Sequence, residues 1–225
     1  MRTLCSLLLC LCLPLSLPAY RNDADRQIYC CAPNDEKKIA LTFDDGPHPV
    51  YTEEILSILE KYGIKATFFA IGQNVKYYPD TFAKIVAGGH EIGNHTFSHP
   101  HLQNGDLKSL TKELQNTETV LGNCQTQDPK LFRPPEGVCT ETVCQAAANE
   151  GYAIILWTVD TRDWAHTPAD DIVKKALKTI KSGDIILFHD YITSPSPTPD
   201  ALRALVPALL SEGYQFVTVS ELIKS

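Results

Sequence analysis

Strand-like and helix-like runs alternate along almost the whole of this 225-residue chain. Short apolar runs lie at 38–43 (KIALTF), 66–72 (ATFFAIG), 91–94 (EIGN), 130–134 (KLFRP), 153–159 (AIILWTV), 184–189 (DIILFH) and 215–220 (QFVTVS). Between them, residues 52–63, 79–89, 106–122, 140–151, 169–183 and 200–213 carry the helical period. Gly63 stands at the end of the first helix and Asp106 at the start of the third, as a stop and an N-cap should. Consecutive βα units demand parallel strands, because a crossover helix returns each strand to the same edge direction. Repeated right-handed crossovers curl such a sheet, so the expected fold is α/β, a (β/α) barrel of about seven parallel strands. Residues 194–199 (SPSPTP) read as a rim loop, and no repeat divides the chain.

The N-terminus departs from this pattern. Residues 1–19 hold one cation, Arg2, then an apolar stretch ending at Pro18-Ala19, which reads as a secretory signal peptide. Residues 20–36 read as a short polar leader, and 37–225 as the folded domain. The apolar stretch is short and broken by proline, so no stable membrane span is expected in the mature chain. Cys10 and Cys12 each follow Leu rather than a small residue, which disfavours lipidation there. Export would leave Cys30, Cys31, Cys124, Cys139 and Cys144, an odd set that cannot pair completely; a local Cys139–Cys144 bridge is sterically open. The net charge of −7 excludes the basic footprint of a nucleic-acid binder. A monomer is expected, and a secreted or cell-envelope location follows from the signal.

In a barrel of this kind the chemistry gathers where strands end. The first strand ends in Asp44-Asp45, followed at once by Gly46-Pro47. Later strand ends carry HTFSH (95–99), RPPEG (133–137), DTRDW (160–164) and LFHD (187–190). His95 and His99 stand i, i+4, a spacing that puts two imidazoles on one face of a helical turn. Two histidines with a carboxylate and open positions suit a divalent ion, which polarises a carbonyl and acidifies water. Taken alone, Asp44-Asp45 could be an acidic turn, His95/His99 a solvated pair and Trp164 plain core.

TFDDGP, HTFSH, RPPEG, DTRDW and LFHD, in this order, resemble the five motifs of the polysaccharide deacetylase family, also called the NodB-homology or carbohydrate esterase 4 family. The resemblance spans about residues 37–223 and implies a distorted (β/α) barrel. It implies metal-dependent hydrolysis of N-acetyl groups, less often O-acetyl groups, from a polysaccharide, and one divalent ion, Zn²⁺ first with Co²⁺, Ni²⁺ or Mn²⁺ as alternatives. It makes Asp44 the base, with Arg133 paired to it, and His189 the acid, oriented by Asp163. Asp45, His95 and His99 become metal ligands, while Trp164 and Leu187 line the acetyl pocket. Where the family usually has Tyr, this chain has Glu136; the backbone N–H for the oxyanion survives, but the ring does not. The expected substrate is the N-acetylglucosamine unit of peptidoglycan or chito-oligomers. An acetylxylan-type O-acetyl esterase and a non-catalytic carbohydrate-binding relative are the alternatives.

Overall fold

The computed structural model describes residue 23 and residues 27–224. The expected signal peptide and part of the leader lie outside the described residues. The elements in chain order are β1 (Ile28–Tyr29), β2 (Lys38–Asp44), α1 (Tyr51–Tyr62), β3 (Thr67–Ala70), α2 (Gly72–Tyr77), α3 (Pro79–Ala87), β4 (Glu91–Asn94) and α4 (Leu107–Leu121). They continue with β5 (Lys130–Phe132), α5 (Glu141–Asn149), β6 (Tyr152–Ile155), β7 (Val159–Asp160), α6 (Ala169–Thr179), β8 (Ile185–His189), α7 (Thr198–Ser211), β9 (Gln215–Phe216) and α8 (Val219–Ile223).

All strand pairs are parallel, in the order β1-β6-β5-β4-β3-β2-β8-β7, with β9 added beside β2. β7, at one end of this path, and β6, one place in from the other end, belong to one stretch of chain. Residues 152–155 pair with β5, and residues 159–160, a few positions on, pair with β8. The bend at residues 156–158 therefore carries the chain from one side of the sheet to the other and wraps it into a distorted barrel. The apolar run predicts a single strand over 153–159; the structure splits it, because one straight strand cannot serve both neighbours.

Strand alternation separates two environments. On β2, Ile39, Leu41 and Phe43 pack outward with Ile55 and Leu59 of α1 and with Leu202 and Leu205 of α7. Each such buried side chain contributes roughly 1.5–3 kcal/mol. Small and large residues mix on the inner face: Ala40, Phe69, Leu131, Ala153, Ile155 and Ile185 form a separate inner cluster. Val219 and Leu222 of α8 join that cluster. Composition extends the last strand over 215–220, but Thr218 ends it by accepting from the Glu221 N–H while Glu221 accepts from the Thr218 N–H, a reciprocal helix start. In the leader, β1 adds a strand beside β6 that its polar composition does not suggest. Asp106 caps α4 through the Ser109 N–H at 3.0 Å. Cys139 is a thiol, so the sterically open bridge to Cys144 is not made; burial first, then Cys144, pushes the Cys139 thiol up to about 12.

Candidate active site

The inward positions near the end of β2 are Thr42 and Asp44, and facing them is Arg133, just past β5. Arg133 is wholly buried, with its guanidinium inside the barrel. Nη1 donates to Asp44 Oδ1 at 2.8 Å and to Thr42 Oγ1 at 2.7 Å. Nε and Nη2 donate to the Ile155 and Leu156 carbonyls at the bend, each at 3.0 Å. A buried cation is tolerated only when its donors are engaged and a counter-charge is present, and both conditions hold here. Asp44 is thus held through Oδ1, leaving Oδ2 as its open oxygen.

Asp45 leaves the strand. Its backbone turns left-handed (φ 76°) and its carbonyl accepts from Asn74 Nδ2 at 2.7 Å. Gly46 follows because a Cβ there would fall 2.0 Å from Asp190 Oδ2. Asp190 is buried, and its carboxylate accepts from the Gly46 N–H and from Thr52 Oγ1, at 2.9 and 2.6 Å. Burial raises the Asp190 carboxyl to about 7.

Asp45 Oδ1 is a buried oxygen with no hydrogen-bond partner. His95 Nε2 stands 3.3 Å from it and His99 Nε2 3.5 Å. The other His95 nitrogen, Nδ1, lies 2.7 Å from the Arg133 carbonyl, which selects the tautomer whose Nε2 lone pair points at Asp45. Three donor atoms with all separations within 4.8 Å and an orphaned carboxylate oxygen among them fit a divalent cation. The i, i+4 spacing is realised without a helix: residues 95–99 form an irregular loop, with Thr96 and His99 both at positive φ. Thr96 Oγ1 accepts the His99 N–H at 3.1 Å and closes the turn.

On β8, at the position paired with Asp44, His189 Nδ1 lies 2.8 Å from Asp163 Oδ1. Asp163 Oδ2 accepts from the His189 backbone N–H and from Thr198 Oγ1, at 2.8 and 2.7 Å, so the carboxylate cannot rotate away. Burial disfavours the charged imidazole, but the Asp163 hydrogen bond and charge, with Asp45 and Asp44 behind them, outweigh it and lift His189 to about 9. An acid of that pKa is protonated through neutral pH and is lost as pH rises through about 9. Replacing Asp163 with Asn removes the main raising influence, so the alkaline limb of kcat is expected to move to lower pH. Rate–pH profiles of both proteins check this; coincident alkaline limbs would assign the limb to another group.

Asp44, Asp45, His95, His99, Glu136, Trp164, Leu187 and His189 line one cavity of about 430 Å³, with Trp157 and Asp160. Arg133 and Asp163 stand behind it, each bonded to a group that lines it. Trp164 is 48% exposed and so is not core; its Nε1 donates to Asp160 Oδ1 at 3.3 Å. Glu136 sits at positive φ in the 3-10 turn Pro135–Gly137, with its Oε1 2.9 Å from Nδ1 of exposed His101. From the sequence, Asp160 and Asp190 read as structural residues and His101 has no assignment. Thr52, Asn74 and Thr198 carry no motif signal; only their partners reveal them. A larger hollow of about 560 Å³, walled by Glu53, Glu60, Lys65 and Lys84 among others, holds none of these groups.

Residues 32–155 match the family model described as polysaccharide deacetylase. The chain belongs to the polysaccharide deacetylase family. It is 42% identical over 194 residues to a peptidoglycan-N-acetylglucosamine deacetylase of Bacillus cereus, covering 85% of this chain and 91% of that protein. It is 39% identical over 189 residues to the peptidoglycan-N-acetylmuramic acid deacetylase PdaC of Bacillus subtilis, covering 84% of this chain and 39% of that one. In fold it resembles the crystal structure of a peptidoglycan N-acetylglucosamine deacetylase in complex with 4-naphthalen-1-yl-N-oxidanyl-benzamide. The TM-score is 0.85 at 33% identity, over 90% of this chain and 95% of that one. Membership of this family suggests a carbohydrate substrate. No helix among the described residues is long and apolar enough to cross a membrane.

Proposed function

We propose that this polysaccharide deacetylase is exported and removes N-acetyl groups from N-acetylglucosamine units, in peptidoglycan strands first and in chito-oligomers as well. The observation that carries the reading is a pair of differently prepared groups lining one cavity from paired positions on the neighbouring strands β2 and β8: Asp44, fixed by Arg133, and His189, protonated by virtue of Asp163.

Asp45, His95 and His99 would hold one divalent ion, Zn²⁺ being the best match to one oxygen and two imidazole donors without thiolate. When bound, it supplies Lewis acidity towards a carbonyl oxygen and makes water more acidic. Asp44 Oδ2 takes a proton from the water that adds to the amide carbon. The backbone N–H of Glu136, a residue that lines the cavity, would donate to the developing oxyanion. His189 Nε2 gives its proton to the amide nitrogen as the C–N bond breaks, leaving acetate and a free amine. The proton on Asp44 and the deficit on His189 then balance through solvent. Trp164 and Leu187 wall the space for the acetyl methyl.

The two relatives differ in the sugar that their names state, and Glu136 favours one of them. A carboxylate at the cavity wall repels the lactyl carboxylate of N-acetylmuramic acid and leaves N-acetylglucosamine unaffected. The test compares acetate release from isolated peptidoglycan, N-acetylglucosamine pentamer and acetylxylan at equal acetyl concentration. Release is expected from both aminosugar polymers ahead of acetylxylan. Faster release from acetylxylan than from either would make the protein an O-acetyl esterase instead.

A further inference from the structure

Beside the cavity runs an unbroken series of aromatic rings that the reaction does not use. Tyr51 stacks on His48 with ring centres 4.7 Å apart, and His48 meets Tyr191 edge-on at 4.9 Å. Tyr191 lies 6.4 Å from Tyr78, and Tyr78 lies 6.5 Å from Tyr77. These rings come from three separate parts of the chain: the turn into α1, the junction of α2 with α3, and the loop after β8.

The series is tied to the catalytic loops. His48 follows Asp45 by three positions, and Tyr191 follows His189 by two. The helix that delivers Tyr77 also supplies Asn74, which holds the Asp45 carbonyl. The rings therefore sit on the same carboxyl-end rim as the cavity.

Their chemistry points to one kind of occupant. Tyr77 is 71% exposed, and the other four rings are half-buried. Among the described residues the large exposed apolar side chains are Val50, Tyr77, Val86 and Trp164. Three of these lie on the rim: Val50 in the turn after His48, Tyr77 in the series, and Trp164 at the cavity. Leaving such a ring in water forgoes the roughly 1.5–3 kcal/mol that burial would return. A surface for another protein would normally add methionine and arginine to its aromatic rings. Here the members are tyrosines and one histidine, whose faces suit C–H-rich ring surfaces and whose tips suit hydroxyls. Burial holds the His48 imidazole below its ordinary range, so the series carries no formal charge at neutral pH.

We propose that the Tyr51–His48–Tyr191–Tyr78–Tyr77 series is a second binding site, one that stacks the neutral pyranose units of the glycan on one side of the unit being deacetylated. The proposal rests on the reading of the substrate as a glycan chain. It makes the rim recognise chain length while the cavity recognises the acetyl group. Tyr77 is the outermost ring and Tyr78 the next, so they should meet only long substrates.

The experiment measures kcat/KM on N-acetylglucosamine oligomers from dimer to hexamer, for wild type and for Tyr77→Ala/Tyr78→Ala. Tyr77→Phe/Tyr78→Phe is the control that keeps both rings. The alanine pair is expected to lose about 5- to 10-fold on the hexamer, mostly in KM, and far less on the dimer. The phenylalanine pair should keep most of the hexamer preference. Calorimetric titration of hexamer into metal-loaded protein, in a His189→Ala background that slows turnover, should show the same weakening. A hexamer-to-dimer ratio unchanged by the alanine pair overturns the proposal, and so does an equal loss on both substrates. If wild type releases no acetate from any of these oligomers, the functional reading falls. The titration then decides the binding site alone: hexamer affinity equal in the two ring backgrounds, or absent in both, overturns it.

Discussion

Replacing Asp44 with Asn, or His189 with Ala, is expected to lower turnover about 10²–10⁴-fold with the fold intact, the usual cost of losing a general base or acid. For Asp44 the reasoning turns on which oxygen does which job. Asn can present its carbonyl oxygen where Oδ1 stands, so Arg133 keeps an acceptor there, as well as Thr42 and the two carbonyls at the barrel bend. The open oxygen becomes an amide, which cannot accept a proton from water. For His189 the loss frees Asp163, which retains Thr198 as a donor. Circular dichroism and melting curves establish the fold, and initial rates on an N-acetylglucosamine oligomer give the loss. An Asp44→Asn protein that turned over like wild type would remove Asp44 from the role of base.

Asp45→Ala should fail by a different route. Its Oδ1 is the buried oxygen without a hydrogen bond, faced by two imidazole nitrogens, an arrangement that costs energy until a cation sits among the three. Removing it should lower divalent-metal affinity by at least ~10²-fold, more than the loss of a supporting outer partner would. Asp44→Asn should still bind metal, which separates the two carboxylates experimentally. Metal content after dialysis, and activity after chelation and refilling with Zn²⁺ or Co²⁺, give the answer. Wild-type protein that remained fully active when stripped would show that these three residues serve something other than a metal.

The neighbouring carboxylates are a case of strand geometry turned to chemistry. The alternation of β2 sends residues 39, 41 and 43 outward to the helices, and with them 40, 42 and 44 inward. The apolar run ending in a polar pair shows in the amino-acid sequence where the strand stops; the packing of its two faces shows that Asp44 turns into the barrel. The same parity on β8 sends Ile186 and Phe188 outward and Leu187 and His189 towards the cavity. The order of the motifs along alternating βα units is legible for the same reason, since parallel strands bring all their carboxyl ends to one rim.

Local pattern fails where a distant partner sets the conformation. Nothing in AIILWTV announces a bend; it arises because the segment must pair with β5 at one end and β8 at the other. QFVTVS has strand composition, yet its last part turns into α8, whose Val219 and Leu222 join the inner cluster. The spacing of His95 and His99 predicts a helical turn; the two rings do converge, but on an irregular loop. Asp45, Thr96, His99, Glu136 and Arg162 all adopt left-handed backbone at the rim. Each such non-glycine residue costs about 1–2 kcal/mol, which only surrounding contacts can offset.

Residue type and order therefore settled which groups this protein brings to its site, because strand parity and parallel pairing are short-range rules written into every few residues. How those groups are prepared was settled by long-range contacts. Arg133 meets Asp44, Asp163 meets His189 and Asp190 meets Gly46 across 89, 26 and 144 positions of chain. The charge state of each follows from burial and from a partner that the linear neighbourhood does not contain. A tyrosine reads the same in core or in solvent, so the exposed ring series beside the cavity also becomes visible only when three distant loops are folded onto one rim.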